Sequence, residues 1–533
     1  MAQTSTLTLD ADVLVLGGGP AGTWAALAAA EAGARVVLAD KGYVGTSGAT
    51  APSNTGAWYL PPDPGRRETV IEQRWPGTLG LADRGWMERV MDISWRRIDQ
   101  MAERGYPFPV DEAGKPYRAN LRGPDYMRFM RQQVEKAGVR ILDHAPGLEL
   151  LVDGDGVVAG AAGHLRRTGE NWRVNAGAVV LATGGCAFLS KALGCNVLTG
   201  DGYLMAAEAG AEMSGMEFSS VYGLAPLGSA VTKGLPFFWA SFTYEDGTPV
   251  PGKGDRAMTV ASGLVEGRQV FATLDKADEA MRGYLRRSQP NCFLPYDRAG
   301  IDPFTQPFPV TLRLEGTVRG TGGIRLAGED CSTPVPGLFA AGDAATREDI
   351  GGANSGAGGP NASWAIATGA LAGAGAARFA KGFAGVERKR AGVGGAALRA
   401  GGTGKPVYAP NDVVLATQAE VLPLNRNYFR TGAKLGVSLS RLDGLWTELR
   451  DRAPAPGSDP VRAREAAAMV ATARWMYASA RLRTETRGIN KRLDHPGTDT
   501  GFARRILSGG LDELWVRAEA TARESKSLVG VAA

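Results

Sequence analysis

Residues 12–22 read DVLVLGGGPAG, and an alanine-rich segment follows as far as Gly33. A second predicted strand, residues 35–38, follows, and Asp40 lies at its end. A short run of branched apolar residues before a glycine cluster is typical of a buried parallel strand. The order is therefore strand, glycine turn, helix, strand and acidic residue, which is a complete βαβ unit. In this context the glycine motif strongly indicates a dinucleotide site.

Each residue type in the motif has a physical reason. Gly17 permits a tight turn, Gly19 lets the backbone approach a pyrophosphate, and Gly22 lets the helix pack closely on the strand. Unpaired amides at the helix start attract phosphates. Asp40 can accept hydrogen bonds from a ribose diol, and its carboxylate would repel a 2′-phosphate, so a dinucleotide without that phosphate is favoured.

The composition excludes several classes of protein. The 533 residues suffice for two or three domains, and the 74 glycines are about twice the usual usage. A balance of 60 basic against 55 acidic residues gives no nucleic-acid footprint. The four cysteines lack metal-type spacing and residues 1–9 lack a signal peptide pattern, so we expect a cytoplasmic protein. Residues 351–377 carry no charge but are too weakly apolar for a membrane span.

Further elements are predicted from periodicity and turn residues. The predictions are helices around 82–104 and 124–137, a strand meander from 139–142 to 178–181, an irregular aromatic insertion over about 216–316, a buried strand at 337–343, a small-residue helix to about residue 379, an exposed glycine-rich linker over 381–405, and a mostly helical remainder.

Motifs occur along nearly the whole chain. They are VLGGGPAG at 15–22, LADKGYVGTSGATAPSNTG at 38–56, LATGG at 181–185, TGDGYLMAAEAGAEMSGMEF at 199–218, TGGI at 321–324, VPGLFAAGDAA at 335–345, GGANSGAGG at 351–359 and RTETRGINKRLDHP at 483–496. Taken in order, they resemble the flavoprotein subunits of succinate dehydrogenase and fumarate reductase, together with L-aspartate oxidase and the adenylylsulfate reductase flavoprotein subunit.

This resemblance implies an α/β fold: a Rossmann-like FAD-binding domain with an inserted α+β capping domain and a helical C-terminal domain. The expected ranges are 1–220 and 320–385 for the two parts of the FAD-binding domain, 221–319 for the capping (substrate) domain and 406–533 for the helical domain.

The family's cofactor roles carry over onto matching positions. They predict a site for the ADP half, the pyrophosphate and the flavin, with the helix near Asn361 directing its positive end at the flavin. The predicted cofactor-binding residues are Gly17, Gly19, Pro20, Ala21, Gly22, Asp40, Lys41, Thr46, Ser47, Gly48, Ala49, Asn54, Ala182, Thr183, Gly184, Asp201, Gly342, Asp343, Ser355 and Asn361.

The linkage of the cofactor is predicted from a difference between this chain and the respiratory members of the family. Respiratory members carry a histidine that bonds covalently to the flavin in the segment matching residues 46–51, and this chain has none there. We therefore expect non-covalent FAD.

The substrate positions also depart from the family pattern. Where the dicarboxylate enzymes have histidines, this chain has Tyr222, the segment EGTVRGT at 315–321, and Asn490; where they have an arginine, it has Ser355. A site that holds two carboxylates needs fixed cationic donors. Succinate, fumarate and aspartate are therefore poor candidate substrates.

Two functions stay open at this stage. One is a stand-alone FAD oxidoreductase, a dehydrogenase, reductase or oxidase, that transfers a hydride between the flavin and a polar small metabolite. The other is an adenylylsulfate reductase-like subunit of an electron-transfer complex, because residues 44–59 and 233–250 look more like that branch. An electron-transfer partner or a second copy of the chain stays open as well. The candidate catalytic residues are Tyr222, Trp239, Arg319, Arg487 and Asn490.

Overall fold

The structure is a computed structural model that describes residues 6–110, 114–232, 234–252, 254–355, 359–399 and 406–520. Its strands are β1 (Thr6–Leu16), β2 (Val36–Ala39), β3 (Asn54–Gly56), β4 (Asn120–Arg122), β5 (Arg140–Leu142), β6 (Gly147–Val152), β7 (Val158–His164), β8 (Asn171–Leu181), β9 (Met213–Ser214), β10 (Tyr222–Pro226), β11 (Ser241–Tyr244), β12 (Val270–Thr273), β13 (Phe308–Leu314), β14 (Gly323–Ile324), β15 (Leu338–Ala340), β16 (Ala391–Gly392), β17 (Val407–Tyr408), β18 (Ala453–Pro454), β19 (Ile506–Gly509) and β20 (Trp515–Ala518).

The helices alternate with these strands in the first two-thirds of the chain and dominate the last third. They are α1 (Pro20–Glu31), α2 (Pro64–Thr78), α3 (Arg84–Glu103), α4 (Gly123–Lys136), α5 (Asp201–Glu208), α6 (Arg256–Val265), α7 (Glu279–Ser288), α8 (Pro290–Ala299), α9 (Gly316–Arg319), α10 (Glu348–Gly351), α11 (Gly359–Lys381), α12 (Pro410–Val421), α13 (Leu424–Asn427), α14 (Gly432–Asp451) and α15 (Pro460–Leu482), with 3₁₀ turns at Pro236–Trp239, Gly342–Ala344 and Thr500–Phe502.

The predicted βαβ unit lies at the centre of an eight-stranded sheet. The strand order is β16-β6-β7-β8-β1-β2-β5, and β15 also pairs with β8. β1 runs parallel to β2, with Val13 opposite Val36, and parallel to β8, with Leu14 opposite Val179. Because the carboxyl ends of β1, β2, β8 and β15 point the same way, the loops that follow them meet at one edge, where ligands bind in such sheets.

Helices α1 and α11 pack together through small residues. A Cβ atom at Gly373 would lie 2.1 Å from the carbonyl oxygen of Ala25, and one at Gly369 would lie 2.4 Å from that of Ala21. Only glycine permits this distance between the two helices. The packing brings the first turns of both helices to the same edge of the sheet.

Residues 222–314 contain a separate antiparallel sheet, which we call the cap. Its strand order is β10-β13-β12-β11, with Tyr222 opposite Leu314 at one end. The sheet and helices α6 to α8 enclose their own apolar cluster, which includes Phe237, Val260 and Phe308. This arrangement is the α+β insertion of the predicted fold class.

The C-terminal region is helical but not only helical. α15 is almost entirely buried among the other elements. After it, β19 pairs with β20 and with β9, where Leu507 lies opposite Ser214. The prediction of a mostly helical remainder missed these strands because their partner lies far away in the sequence.

The prediction of an exposed linker over 381–405 is wrong for part of that segment. The buried Arg388 lies 2.7 Å from the carboxylate of Asp153. Strand β16 then joins the main sheet, with Ala391 opposite Val152. Residues 400–405 lie outside the described residues.

A pair of glycine substitutions tests the packing of α1 on α11. Gly373→Ala should lower the apparent Tm, with a cost of about 1–3 kcal/mol, because the new methyl group meets the backbone of α1. Gly444→Ala, in the middle of α14 where nothing lies within 4 Å, should instead add about 0.5–1 kcal/mol. Thermal unfolding followed by circular dichroism measures both. Equal effects of the two variants would contradict the close packing.

Candidate active site

The loop at 17–22 joins β1 to α1, and its glycines are required by the space around them. Gly17 has a φ of 106°, and a Cβ there would lie 2.3 Å from the carbonyl oxygen of Ala182. A Cβ at Gly22 would lie 1.7 Å from the carbonyl oxygen of Gly17. α1 has no side-chain cap at Gly19, so its first amides remain able to bind an anion.

Asp40 connects the loops at this edge. Its Oδ2 accepts a hydrogen bond from the amide of Gly18 at 2.6 Å. Its Oδ1 accepts from the amide of Gly42 at 2.8 Å and from the hydroxyl of Ser47. The side chain is buried and lies just after the end of β2, where it borders the cavity described below. This is the position of the ribose-binding carboxylate in dinucleotide-binding folds.

A second loop, residues 45–49, packs on the first. A Cβ at Gly48 would lie 3.0 Å from the Cα of Gly19 and 3.0 Å from the Cδ of Pro20. From the other side, Arg131 Nη1 donates to the carbonyl oxygen of Val44 at 2.7 Å. The two loops therefore form one cradle of backbone at the start of α1.

Two buried polar atoms in this region have no hydrogen-bond partner within the part of the chain that the structure describes. They are Oγ1 of Thr183, in the loop after β8, and Oδ1 of Asn361, in the first turn of α11. Both residues line the cavity. A buried polar atom without a partner costs about 1–3 kcal/mol, which a bound ligand with polar groups would relieve.

Lys41 is held by two carboxylates. Its Nζ lies 2.8 Å from Asp201 Oδ2 and 2.6 Å from Glu465 Oε1, and it donates to Thr199 Oγ1 at 3.0 Å. Burial acts to lower the pKa of Lys41, but the two carboxylates outweigh it and raise the pKa above its usual value. Lys41 is therefore a fixed, neutralised cation in the cavity wall.

Asp343 lies in the 3₁₀ turn Gly342–Ala344, which packs against α11 through hydrogen bonds between Gly342 and the side chains of Trp364 and Thr368. Its carboxylate pairs with the fully buried Arg347, whose Nη2 also donates to the carbonyl oxygens of Thr317 and Val318, each at 3.0 Å. Burial raises the pKa of Asp343, and the attraction of Arg347 opposes that rise. Arg347 thus fixes both Asp343 and the segment that carries α9.

These elements enclose a cavity of about 1640 Å³ between the main sheet and the cap. That volume exceeds the range of roughly 300–1000 Å³ typical for one small ligand. The predicted cofactor residues that line it are Gly17, Gly19, Pro20, Ala21, Asp40, Lys41, Thr46, Ser47, Gly48, Ala49, Ala182, Thr183, Gly184, Asp201, Gly342, Asp343, Ser355 and Asn361.

The other two predicted cofactor residues differ. Gly22 packs behind the loop rather than in the cavity wall. Asn54 lies in β3, but its side chain is outside the described residues. The free amides of α1, the carboxylate of Asp40 and the two polar atoms without partners fit the phosphates, ribose and polar edges of FAD.

The opposite side of the cavity is formed by the cap and α9, and we call it the cap wall. Its residues are Val221, Tyr222, Gly223, Leu224, Thr232, Gly234, Leu235, Phe238, Asp255, Arg256, Ala257, Gln289, Glu315, Val318 and Arg319. Arg319 Nε lies 3.9 Å from Glu315 Oε2, and Glu315 Oε1 accepts from Thr232 Oγ1 at 2.7 Å. The carboxylate of Glu315 raises the pKa of Arg319 despite its burial. Ser355 Oγ donates to the carbonyl oxygen of Arg319 at 2.9 Å.

Tyr222 lines the cavity, but its hydroxyl is bonded elsewhere. The hydroxyl donates to the carbonyl oxygens of Val421 and Leu422, at 3.1 and 3.0 Å. Burial raises the pKa of Tyr222 well above its usual value. The ring can therefore contact a ligand, whereas the hydroxyl is already bonded to the main chain.

The structure does not place Trp239, Arg487 and Asn490 in the cavity wall, and their predicted contact with substrate stays a prediction. Trp239 packs against the apolar cluster of the cap. Arg487 Nε lies 2.6 Å from Glu485 Oε1, and the side-chain amide of Asn490 donates to the carbonyl oxygen of Glu485 at 3.1 Å. The late motif thus builds a buried polar network.

Several wall residues were missed by the sequence reasoning. Thr232, Arg256 and Glu465 line the cavity but belong to no motif, and Arg347 lies behind the wall, paired with Asp343. Among the described residues no cluster of histidine, cysteine, aspartate or glutamate could hold a metal ion. Within the same ranges no helix is long and apolar enough to cross a membrane.

Known proteins share this architecture. Residues 12–222 match the model of a family described as FAD binding domain, and residues 420–527 match that of the fumarate reductase flavoprotein C-terminus. L-aspartate oxidase of Streptomyces coelicolor is 27% identical, over 93% of this chain and 91% of its own length. The CoM/CoB fumarate reductase of Methanothermobacter marburgensis has a subunit that is 24% identical, over 93% of this chain and 97% of its own.

Two solved structures show the same fold. FrdA of E. coli quinol fumarate reductase has a TM-score of 0.79 at 20% identity, covering 97% of this chain and 98% of its own. Adenylylsulfate reductase of Archaeoglobus fulgidus has a TM-score of 0.77 at 19% identity, covering 98% and 97%.

A chain that binds FAD beside space for a second ligand, and whose relatives are flavin enzymes, is an FAD-dependent oxidoreductase. The order of its domains and the matched families then specify the group. The chain belongs to the fumarate reductase and succinate dehydrogenase flavoprotein family.

We expect the FAD to be released by acid. The loop at 45–51 offers no histidine, and the histidine that does line the cavity, His144, has its Nε2 bonded to Arg167 at 3.0 Å. Precipitation with trichloroacetic acid should leave all the yellow colour in the supernatant. A yellow pellet would show a covalent link.

A second prediction concerns the hydroxyl of Thr183. Thr183→Val should weaken FAD binding by roughly 3- to 10-fold while leaving the Tm of the FAD-free protein unchanged or higher, because the hydroxyl has no protein partner. Thr368→Val is the matched control: its hydroxyl accepts from the amide of Gly342 at 2.9 Å, so its loss should lower that Tm. FAD titration and thermal unfolding separate the two effects. A Thr183→Val protein with normal FAD affinity and a lower Tm would refute the assignment.

Proposed function

We propose that the protein is a stand-alone enzyme that transfers a hydride between the flavin and a polar small metabolite other than succinate, fumarate or aspartate. The charge pattern of the cap wall is the observation that carries this proposal. Arg319 faces the cavity with the buried carboxylate of Glu315 beside it. A ligand with two carboxylates needs cationic donors for both, and a carboxylate in the wall opposes the second.

The other arginine of the cap wall lies at the rim. The guanidinium of Arg256 lies 3.4 Å from the ring centroid of Phe238, which is 58% exposed. Arg325, six residues beyond Arg319, is paired with Glu212 at 2.7 Å and with Glu519 at 2.9 Å. Neither arrangement supplies a second buried donor opposite Arg319.

Bound FAD supplies the hydride chemistry. Arg319 orients the substrate, and the neighbouring carboxylate keeps its guanidinium protonated. We assign the accompanying proton to the pair of Glu315 and Arg319, because the Tyr222 hydroxyl is occupied by main-chain carbonyls. Glu315 Oε2 would take that proton in the oxidation and return it in the reduction, while bound FAD would accept or supply the hydride.

We also propose that the protein acts in the cytoplasm without a nucleic-acid partner. The buried thiols of Cys186 and Cys331 and the near balance of basic and acidic residues support this.

The proposal predicts that dicarboxylates do not react. Succinate and L-aspartate should fail to reduce the oxidised protein, and fumarate should fail to reoxidise the photoreduced protein, in anaerobic stopped-flow mixing. Losing one buried charged clamp costs about 2–5 kcal/mol, so losing two should abolish turnover at millimolar substrate. L-aspartate oxidase of Streptomyces coelicolor serves as the positive control for aspartate.

Two outcomes would overturn the proposal. Turnover of any of the three compounds near the rate of the control enzyme would show that the cap wall can hold a dicarboxylate. Co-purification of an iron–sulfur protein that is required for flavin turnover would show a subunit of an electron-transfer complex instead. The rate at which air reoxidises the reduced flavin then separates an oxidase, which is fast, from a dehydrogenase or reductase.

A further inference from the structure

Arg319, whose side chain is 26% exposed, differs from the fully buried arginines of the described chain. Arg347, Arg430 and Arg483 each donate several hydrogen bonds to protein acceptors. In the described residues, Arg319 has Glu315 as its ion-pair partner, at 3.9 Å and beyond hydrogen-bond distance, and no side-chain hydrogen bond. Its guanidinium is held in the cavity wall with its donors unused.

Glu315 gives this position a second property. The carboxylate is buried, and its Oε1 is bonded to Thr232 at 2.7 Å. A Cβ at Gly223 would lie 3.0 Å from its Oε2, so the strand β10 backs the carboxylate closely. The negative charge is therefore fixed beside the cation, and it would repel a second anionic group on a ligand bound to Arg319.

The rest of the cap wall is largely apolar. Leu224, Leu235 and Val318 line it, together with the ring of Tyr222. At the rim, the exposed ring of Phe238 extends the same surface. A flat apolar body can lie along these side chains while one end of the ligand reaches Arg319.

We infer that the substrate is a monoanion: one carboxylate paired with Arg319, on an apolar and ring-sized body that lies along the cap wall. Glu315 acts as the specificity-determining residue that excludes a second carboxylate. This inference rests on the proposed function, because it assigns the substrate class of the same cavity.

The test compares three probes that share one ring. 3-Phenylpropanoate has one carboxylate, 3-phenylpropanamide replaces it with a neutral amide, and phenylsuccinate adds a second carboxylate to the same skeleton. Each is titrated into the FAD-loaded protein by calorimetry, which reads binding without turnover. We expect 3-phenylpropanoate to bind at least about tenfold more tightly than either of the other two.

Variants then assign the roles. Arg319→Gln should weaken 3-phenylpropanoate binding at least about tenfold and leave the amide unchanged. Glu315→Gln should let phenylsuccinate bind at least about tenfold more tightly than the parent does. Arg298→Gln removes a positive charge from an exposed site at the end of α8 and serves as the control for long-range charge.

Several results would overturn the inference. They are an amide affinity equal to that of the carboxylate, tight phenylsuccinate binding by the parent, a Glu315→Gln protein that still rejects phenylsuccinate, or a loss of carboxylate binding in Arg256→Gln but not in Arg319→Gln. If the carboxylate probes fail to bind while dicarboxylates still give no turnover, the substrate class is wrong and the proposed function stands. Turnover of succinate by the parent protein would contradict both this inference and the proposed function.

Discussion

The contact between the backbone of Gly17 and that of Ala182 is the constraint on which the site depends. It lies where β1 and β8 end side by side, at a distance that leaves no space for a side chain. Because the chain turns so tightly there, α1 can begin directly at the strand end with its amides exposed to the cavity. Because Gly22 has no side chain, α1 can pack directly against the same turn. The second loop, the Asp40 carboxylate and the first turn of α11 are arranged around this point.

The charged side chains on the two sides of the cavity differ in how completely they are paired. On the side of the main sheet, Lys41 is paired with Asp201 and Glu465, and Asp343 is paired with Arg347. On the cap side, Arg319 keeps unused donors beside a carboxylate. Buried charges are costly unless they are paired. A polar group that is left unsatisfied in a cavity wall therefore indicates where a ligand is expected to complete it.

The fold and the cofactor loops could be predicted from the sequence because their signals are local. The glycine spacing and the apolar runs predict α1, β2 and the end of β1 within about two residues, although β1 begins at Thr6, six residues before the predicted start at Asp12. In the cap wall the motifs predicted Tyr222 and Arg319 but not Thr232 or Arg256, which reach the cavity only through the tertiary fold. Arg487 and Asn490 belong to a recognisable motif, but the sequence could not show that their side chains form a buried network around Glu485.

The ion pair between Lys41 and Glu465 joins a loop near the start of the chain to a helix near its end. During synthesis, Lys41 leaves the ribosome long before α15 does, and the strand β19 that completes the small sheet with β9 emerges later still. Asp201 can pair with Lys41 once the middle of the chain has emerged, but the second carboxylate and the cover that α15 provides are added only when nearly the whole polypeptide has been made. We therefore expect the cofactor site to be completed late in synthesis, and exposed apolar surface on the incomplete chain to favour aggregation until then.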